Sequence, residues 1–222
     1  MAKLEDLIDV DDPGLTMLLE WAGQPSANSS VFLPPDQSLA GMTLLRLGIT
    51  TRSILGAIVF ETGGISVAGG LIRLWGSGTS RSLLLANRAA SVAANRELTG
   101  ILLIADDVYG GLFAINGGFF SKCNIGDIFH LPSDEAQWSC LDVGYSDFAA
   151  WCLGGDLTML YGKNTQNLEI ELSGKPAMDQ VLATYPFPWN DEGRRASVSV
   201  REVNADEHLR LRVELNGFEI KV

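Results

Sequence analysis

Apolar residues near the start of the chain recur at steps of three and four, the spacing that places side chains on one face of a helix. Residues 15–22 follow this pattern after Asp12-Pro13, where Asp12 can cap a helix and Pro13 suits its first turn. Residues 34–48 predict a second helix, because they open on Pro-Pro-Asp and close on a glycine. A shorter helix is predicted over residues 3–8.

The next stretch consists of short apolar and β-branched runs separated by glycine pairs. Residues 54–60, 65–68 and 71–75 predict three strands of an antiparallel meander. Residues 83–98 are rich in Ala and Leu and contain neither Gly nor Pro, which predicts a helix.

The centre of the chain predicts a hairpin of two buried strands. Residues 101–105 and 112–115 are apolar, and a glycine corner separates them. Two further strands are predicted over residues 127–131 and 137–141, and a helix follows them.

The C-terminal residues alternate between apolar and polar side chains. Residues 198–200 and 209–215 show this period of two, which predicts a terminal β-hairpin. We therefore predict an α+β fold with a largely antiparallel sheet flanked by helices. Its organisation would be one α+β domain over residues 1–190 and a C-terminal hairpin extension over residues 191–222.

Charge limits the classes of partner. The 222 residues include 16 basic and 27 acidic side chains, a net charge of −11. Nucleic acids attract clustered Lys and Arg, so this balance argues against DNA or RNA binding. It favours a basic protein partner, although acidity that serves only solubility is the alternative.

The sequence also predicts a cytoplasmic protein. It contains no apolar run long enough to span a membrane, and its first six residues have no apolar signal core. The three cysteines, Cys123, Cys140 and Cys152, are an odd number without metal-binding spacing, which suits a reducing compartment.

Two adjacent acids end the first strand of the central hairpin. Adjacent residues of a strand point to opposite faces, so Asp106 and Asp107 are not expected to share a proton as a catalytic pair. A turn-forming role with solvated carboxylates is the favoured interpretation.

Motifs for catalysis are missing from the sequence. It holds no phosphate-binding glycine loop in a strand-to-helix setting and no G-x-S-x-G elbow. His130 alternates with apolar neighbours in a predicted strand, which indicates a structural edge residue, and a zinc site using Cys123 and His130 would lack a second close pair of ligands. We predict a protein that is not an enzyme and has neither a cofactor nor a metal site.

Several motifs together resemble the bacterial family called "domain of unknown function 2625", over roughly residues 3 to 203. The motifs that carry this resemblance are Thr51 to Ala57, Thr62-Gly63-Gly64, Gly76-Ser77-Gly78, Ala105-Asp106-Asp107-Val108, Gly110-Gly111, Phe113 to Gly118, Gly144 to Phe148, Trp151, Gly155-Asp156-Leu157, and Tyr185-Pro186-Phe187 with Trp189.

Residues 100–160 are also similar, more distantly, to the SUKH superfamily. They share with it a strand ending in acids, a Gly-Gly corner, a second strand, then a further strand, a Trp and a Ser-Asp-Phe helix. The similarity implies an α+β fold and an immunity protein that neutralises a toxin, often a nuclease. The long glycine-rich stretch before residue 80 and the tail after residue 190 depart from that pattern.

We therefore predict a non-enzymatic protein-binding module of the immunity or regulator type, with a protein partner that could be a basic toxin. A small-molecule-binding protein or enzyme with an acidic pocket around Asp106 and Asp107 is one alternative. A structural homo-oligomer is another, and a homodimer is left open. The candidate binding residues are Arg52, Glu61, Asp106, Asp107, Asn116, Tyr145 and Asp147.

Overall fold

The computed structural model describes residues 3–161, 176–186 and 199–216. The chain divides into two compact units. The first comprises Met1–Leu84 with Tyr145–Lys175, and the second comprises Leu85–Gly144 with Pro176–Val222. Phe187 and Trp189, which belong to the family-like motifs, and residue 198 of the predicted hairpin lie outside the described residues.

The first unit combines helices with three short antiparallel strands. The strand Ser30–Leu33 pairs with Gly64–Val67, which in turn pairs with Ile72–Trp75. The buried side chains of Ile65, Leu74 and Trp75 contribute to its core. Its elements are a 3-10 turn at Leu4–Leu7, α1 (Gly14–Ala22), β1 (Ser30–Leu33), α2 (Gln37–Leu47), α3 (Ile54–Glu61), β2 (Gly64–Val67), a 3-10 turn at Ala68–Gly70, β3 (Ile72–Trp75), α5 (Tyr145–Gly154) and α6 (Thr158–Tyr161).

Helix α2 confirms the helix predicted over residues 34–48. Asp36 is its N-cap and accepts a 2.9 Å hydrogen bond from the Ser38 amide. Gly48 ends the helix in the left-handed conformation, at φ 64°, which costs glycine little. The start of α1 differs from the prediction that Asp12 caps this helix. Pro13 occupies the N-cap position, and Asp12 forms an ion pair with Arg52 instead.

Residues 54–61 form helix α3, so the strand predicted over residues 54–60 is wrong. The Ser53 hydroxyl accepts a 3.0 Å hydrogen bond from the Gly56 amide and caps the helix. Ile54, Ala57, Ile58 and Val59 are all buried. A short helix with apolar residues on most of its faces has no period that distinguishes it from a buried strand.

The second unit is built on four consecutive antiparallel strands, each of which pairs with the next along the chain. Three of them match the predicted hairpin and the strand over residues 127–131. Helix α4 (Leu83–Ala93) precedes them and is shorter than predicted, and the strands are β4 (Ile101–Asp107), β5 (Leu112–Asn116), β6 (Asp127–Leu131) and β7 (Ser139–Gly144).

A C-terminal β-hairpin is present in this unit, and its second strand overlaps the strand predicted over residues 198–200, whereas its first strand was not predicted. It pairs β8 (Gln180–Tyr185) with β9 (Ser199–Asn204) in antiparallel register. Residues 209–215 instead belong to helix α7 (Ala205–Asn216). The Asn204 side chain starts this helix by accepting bonds of 3.0 and 3.1 Å from the amides of Asp206 and Glu207.

These elements confirm the predicted α+β class with largely antiparallel pairing. In the part of the chain that the structure describes, no helix combines the length and the hydropathy needed to cross a membrane.

Candidate functional site

The predicted binding residues are distributed over both units. Arg52, Glu61, Tyr145 and Asp147 belong to the first, and Asp106, Asp107 and Asn116 to the second. Arg52 forms a 3.2 Å ion pair with Asp12, and both side chains are about two-thirds exposed, at 68% and 71%. The Tyr145 hydroxyl is enclosed, and its burial raises the pKa of this tyrosine.

Asn116 has a structural position. Its side-chain amide donates to the carbonyls of Phe120 and Asn124, and its oxygen accepts from the amides of Gly118 and Phe120, all at 2.9–3.1 Å. The loop that follows β5 is therefore organised around this single side chain.

Asn116 also lies far from Asp106, another of the candidate binding residues. Asp106 pairs with Leu112 at one end of the β4–β5 hairpin, and Asn116 pairs with Ile101 at the other. Asn116 is four positions beyond Leu112 along the strand, a distance of roughly 13 Å.

Asp106 and Asp107 are buried, so the predicted solvated carboxylates are wrong. Their exposed fractions are 1% and 2%. The Asp107 side chain accepts 2.8 Å hydrogen bonds from the amides of Tyr109 and Gly111 and so closes the turn between β4 and β5. This carboxylate is buried because it satisfies the turn's own backbone donors.

Both histidines of the chain lie beside this turn. His130 is buried, stacks on Phe113 at 4.4 Å between ring centroids, and brings its Nε2 atom to 4.0 Å from the Asp107 carboxylate. It pairs with β5 on one side and β7 on the other, so the predicted edge position is wrong. His208, on α7, packs its ring against Gly110.

Arg212 connects α7 to the loop after β6. Its side chain is fully buried and donates to the carbonyls of Pro132, Ser133 and Glu135 at 2.8–3.3 Å. Burial lowers the pKa of Arg212 to about 10, while the nearby carboxylate of Asp107 acts in the opposite direction.

A groove lies between the β8–β9 hairpin and α7. Its volume is about 510 Å³, and apolar atoms contribute most of its surface. Arg201, Glu207 and His208 contribute charged or titratable groups to its walls, and Ala183, Val203 and Leu211 contribute apolar ones. A partly open cavity of this size with a few polar groups suits a small ligand.

The first unit presents a strongly acidic segment, which we call the acidic face and define as residues 5–20. Its exposed apolar side chains are Val10, Met17 and Leu19, of which Val10 is 81% exposed. Its acids are Glu5, Asp6, Asp9, Asp11, Asp12 and Glu20, and it contains no basic residue.

The backbone of the acidic face is tied to the loop before α3. The Asp9 amide donates to the Thr51 hydroxyl at 2.7 Å, and the Thr51 amide donates to the carbonyl of Leu7 at 2.9 Å. Asp9 in turn accepts from the amides of Asp11 and Asp12. The segment is therefore held in one conformation although many of its side chains are exposed.

One cluster of metal-ligating side chains occurs among the described residues. Cys123, Asp127, Cys140 and Asp142 bring their sulfur and carboxylate atoms within 4.8 Å of one another. The structure joins Cys123 and Cys140 by a disulfide, a pairing that their spacing in the sequence did not indicate.

Comparisons with known proteins find two similar proteins and one matching family model. Over 208 residues the chain is 32% identical to the uncharacterized protein YbfG of Escherichia coli K12, covering 91% of this chain and 94% of that protein. It is 33% identical over 231 residues to an uncharacterized protein of Haemophilus influenzae, covering 99% and 98% of the two chains. Residues 4–208 match the family model described as "Protein of unknown function DUF2625". The chain therefore belongs to the DUF2625 family.

Proposed function

We propose that this protein is a non-enzymatic protein-binding module of the immunity or regulator type, and that it binds a basic partner through the acidic face. The observation that carries the proposal is the composition of residues 5–20. Six acids and no base give this segment a charge of −6, more than half of the chain's −11. Such a surface accelerates encounter with a basic protein and disfavours acidic ones.

Exposed apolar side chains lie within the same segment. Val10, Met17 and Leu19 are each about half exposed or more. Apolar contacts supply affinity once charges have oriented two proteins, and methionine adapts to partners of different shape. The combination of acids with exposed apolar groups favours binding over a purely solubilising role.

Backbone order supports binding as well. Because the segment is fixed to Thr51 through Asp9 and Leu7, a partner would not have to order it. Less conformational entropy is then lost on association.

The structural role of Asp107 supports the non-enzymatic part of the proposal. The Asp107 carboxylate holds the backbone of its turn, which accounts for its burial without any reaction. The similarity of residues 100–160 to the SUKH superfamily favours an immunity role, with a basic toxin as the partner. A cytoplasmic location belongs to the same proposal.

Matched charge reversals test the proposal in a pull-down. The bait is the full chain, and the candidate partners are the products of the neighbouring genes together with basic nuclease toxins. The variant Asp11→Lys/Glu20→Lys changes two exposed acids of the acidic face. The control Glu97→Lys/Glu214→Lys makes the same change of charge at two exposed acids of the second unit.

We expect the wild type and the control to capture the same basic partner and the acidic-face variant to lose it. Equal capture by both variants, or capture of abundant chaperones alone, would contradict the proposal.

The groove favours a second function, the binding of a small molecule. Its walls combine a cationic Arg201 with Glu207 and His208, which suits a polar ligand carrying an anionic group. A thermal-shift screen of anionic metabolites would test it. A ligand that raises the melting temperature of the wild type but not of Arg201→Ala would support this function, and no shift across the screen would contradict it.

A further inference from the structure

The second unit contains four potential metal ligands that come from two separate parts of the chain. Cys123 lies in the loop after β5 and Asp127 begins β6, whereas Cys140 and Asp142 lie on β7. The four ligand atoms are within 4.8 Å of one another. Ligands of one tetrahedral zinc ion, with bonds of about 2.0–2.3 Å, are roughly 3–4 Å apart, so only small side-chain movements would be needed.

An irregular pairing of β6 with β7 creates this arrangement. Asp127 lies opposite Gly144 and Phe129 lies opposite Cys140, so three residues of β7 face one residue of β6. The bulge gives Asp142 a left-handed backbone, at φ 54°, and brings its carboxylate to the cysteines. Cys123 also has a positive φ of 64°. Non-glycine residues adopt this conformation at a cost, and such strain concentrates at functional positions.

Hydrogen bonds orient the ligands. The Asp142 amide donates to the Cys140 sulfur at 3.4 Å, which stabilises a thiolate. The Asn124 amide and side chain both donate to one oxygen of Asp127, at 2.7 and 3.2 Å. Asp142 places one carboxylate oxygen 3.3 and 3.4 Å from the two sulfurs. Metal ligands in proteins are commonly oriented in this way by neighbouring donors.

We propose that the reduced form of this cluster binds one Zn²⁺ ion through the two cysteine thiolates and the two aspartate carboxylates. Thiolate ligands select zinc over Ca²⁺ and Mg²⁺, which require oxygen ligands in larger number. Four protein ligands complete a tetrahedral shell, which is typical of a structural rather than a catalytic zinc site.

The disulfide between Cys123 and Cys140 is the other state of the same cluster. A thiol reductant opens it by exchange: two reductant thiols become one disulfide, and the two cysteines receive the two electrons and the two protons. Zinc binding then displaces both thiol protons to solvent. In a reducing compartment the zinc form would prevail, and in an oxidising one the disulfide.

The test measures zinc binding by the full chain after reduction with a phosphine and removal of metal. Zinc is titrated in competition with a chromophoric chelator, and Co²⁺ serves as a spectroscopic probe of thiolate ligation. We expect one zinc per chain and a thiolate-to-cobalt charge-transfer band. Asp142→Asn, which keeps both cysteines, should weaken zinc binding by about tenfold or more.

The matched control is Asp11→Asn, an exposed aspartate of the first unit. It should bind zinc as the wild type does. Circular dichroism before titration establishes that each variant is folded. The proposal is overturned if the reduced wild type binds no more zinc than Cys123→Ser/Cys140→Ser, or if Asp142→Asn and Asp11→Asn bind zinc equally. A negative result for zinc binding would leave the proposal for the acidic face unaffected, because the acidic face shares no residue with this cluster.

Discussion

The imidazole of His208 lies directly against the α-carbon of Gly110. A β-carbon added at Gly110 would overlap the Nε2 and Cδ2 atoms of that ring. Gly110 also has a φ of 85°, a conformation that side chains disfavour. Glycine is therefore required at position 110 for two reasons: the backbone has a positive φ, and the ring of His208 leaves no room for a β-carbon.

Gly110→Ala should lower the free energy of unfolding by about 3 kcal/mol. About 1 kcal/mol comes from the positive φ, and the remainder comes from forcing apart the buried ring and the turn. Gly118→Ala is the matched control, because Gly118 has a φ of 104° but nothing within 4 Å of the added carbon. Urea denaturation of both variants measures the difference, and equal losses would show that the contact with His208 contributes nothing.

Arg212→Ala should destabilise the chain by about 3 kcal/mol or more, because a fully buried side chain is removed and three carbonyls lose their donor. Arg212→Lys keeps the charge but not the fork geometry, so we expect an intermediate loss. Arg210→Ala, an exposed arginine of the same helix, should change stability by less than about 0.5 kcal/mol. Similar melting curves for the alanine variants would contradict the structural role of Arg212.

The three cysteines should differ in reactivity toward a thiol reagent. Cys152 is buried, and burial raises the pKa of its thiol well above the usual range, so it should react only after unfolding. Cys123 is exposed and Cys140 partly exposed, so both should react in the folded, reduced, metal-free chain. Counting reactive thiols with a chromogenic disulfide should give two before denaturation and three after it. Three reactive thiols in the folded chain would contradict the buried position of Cys152.

Local signals in the sequence predicted much of this fold. The helix after Asp36 and the β4–β5 hairpin were identified because caps and glycine corners act over a few residues. Helix α3 was missed, since its apolar residues face the core on several sides. Helix α7 was mistaken for a strand because alternate residues are apolar, although its buried residues Leu209 and Val213 are four apart.

The candidate sites could be predicted less well than the fold, because they depend on contacts between residues that are distant in the sequence. The buried state of Asp107 follows from turn amides that fold back onto its carboxylate, which composition does not reveal. The Cys123–Cys140 cluster requires the bulge in β7. The acidic face, in contrast, is a local charge pattern that is visible in the density of acids over residues 5–20, whereas the net charge alone does not locate it.

The most direct test of the central claim is the equilibrium affinity of the captured partner for three forms of the chain. Each exposed ion pair contributes up to about 1 kcal/mol, so reversing Asp11 and Glu20 should weaken binding by roughly tenfold or more at low salt. The difference should shrink at about 0.5 M salt, where screening is strong. The control Glu97→Lys/Glu214→Lys should bind as the wild type does. Equal affinities for the two double variants at low salt would contradict a binding role for the acidic face.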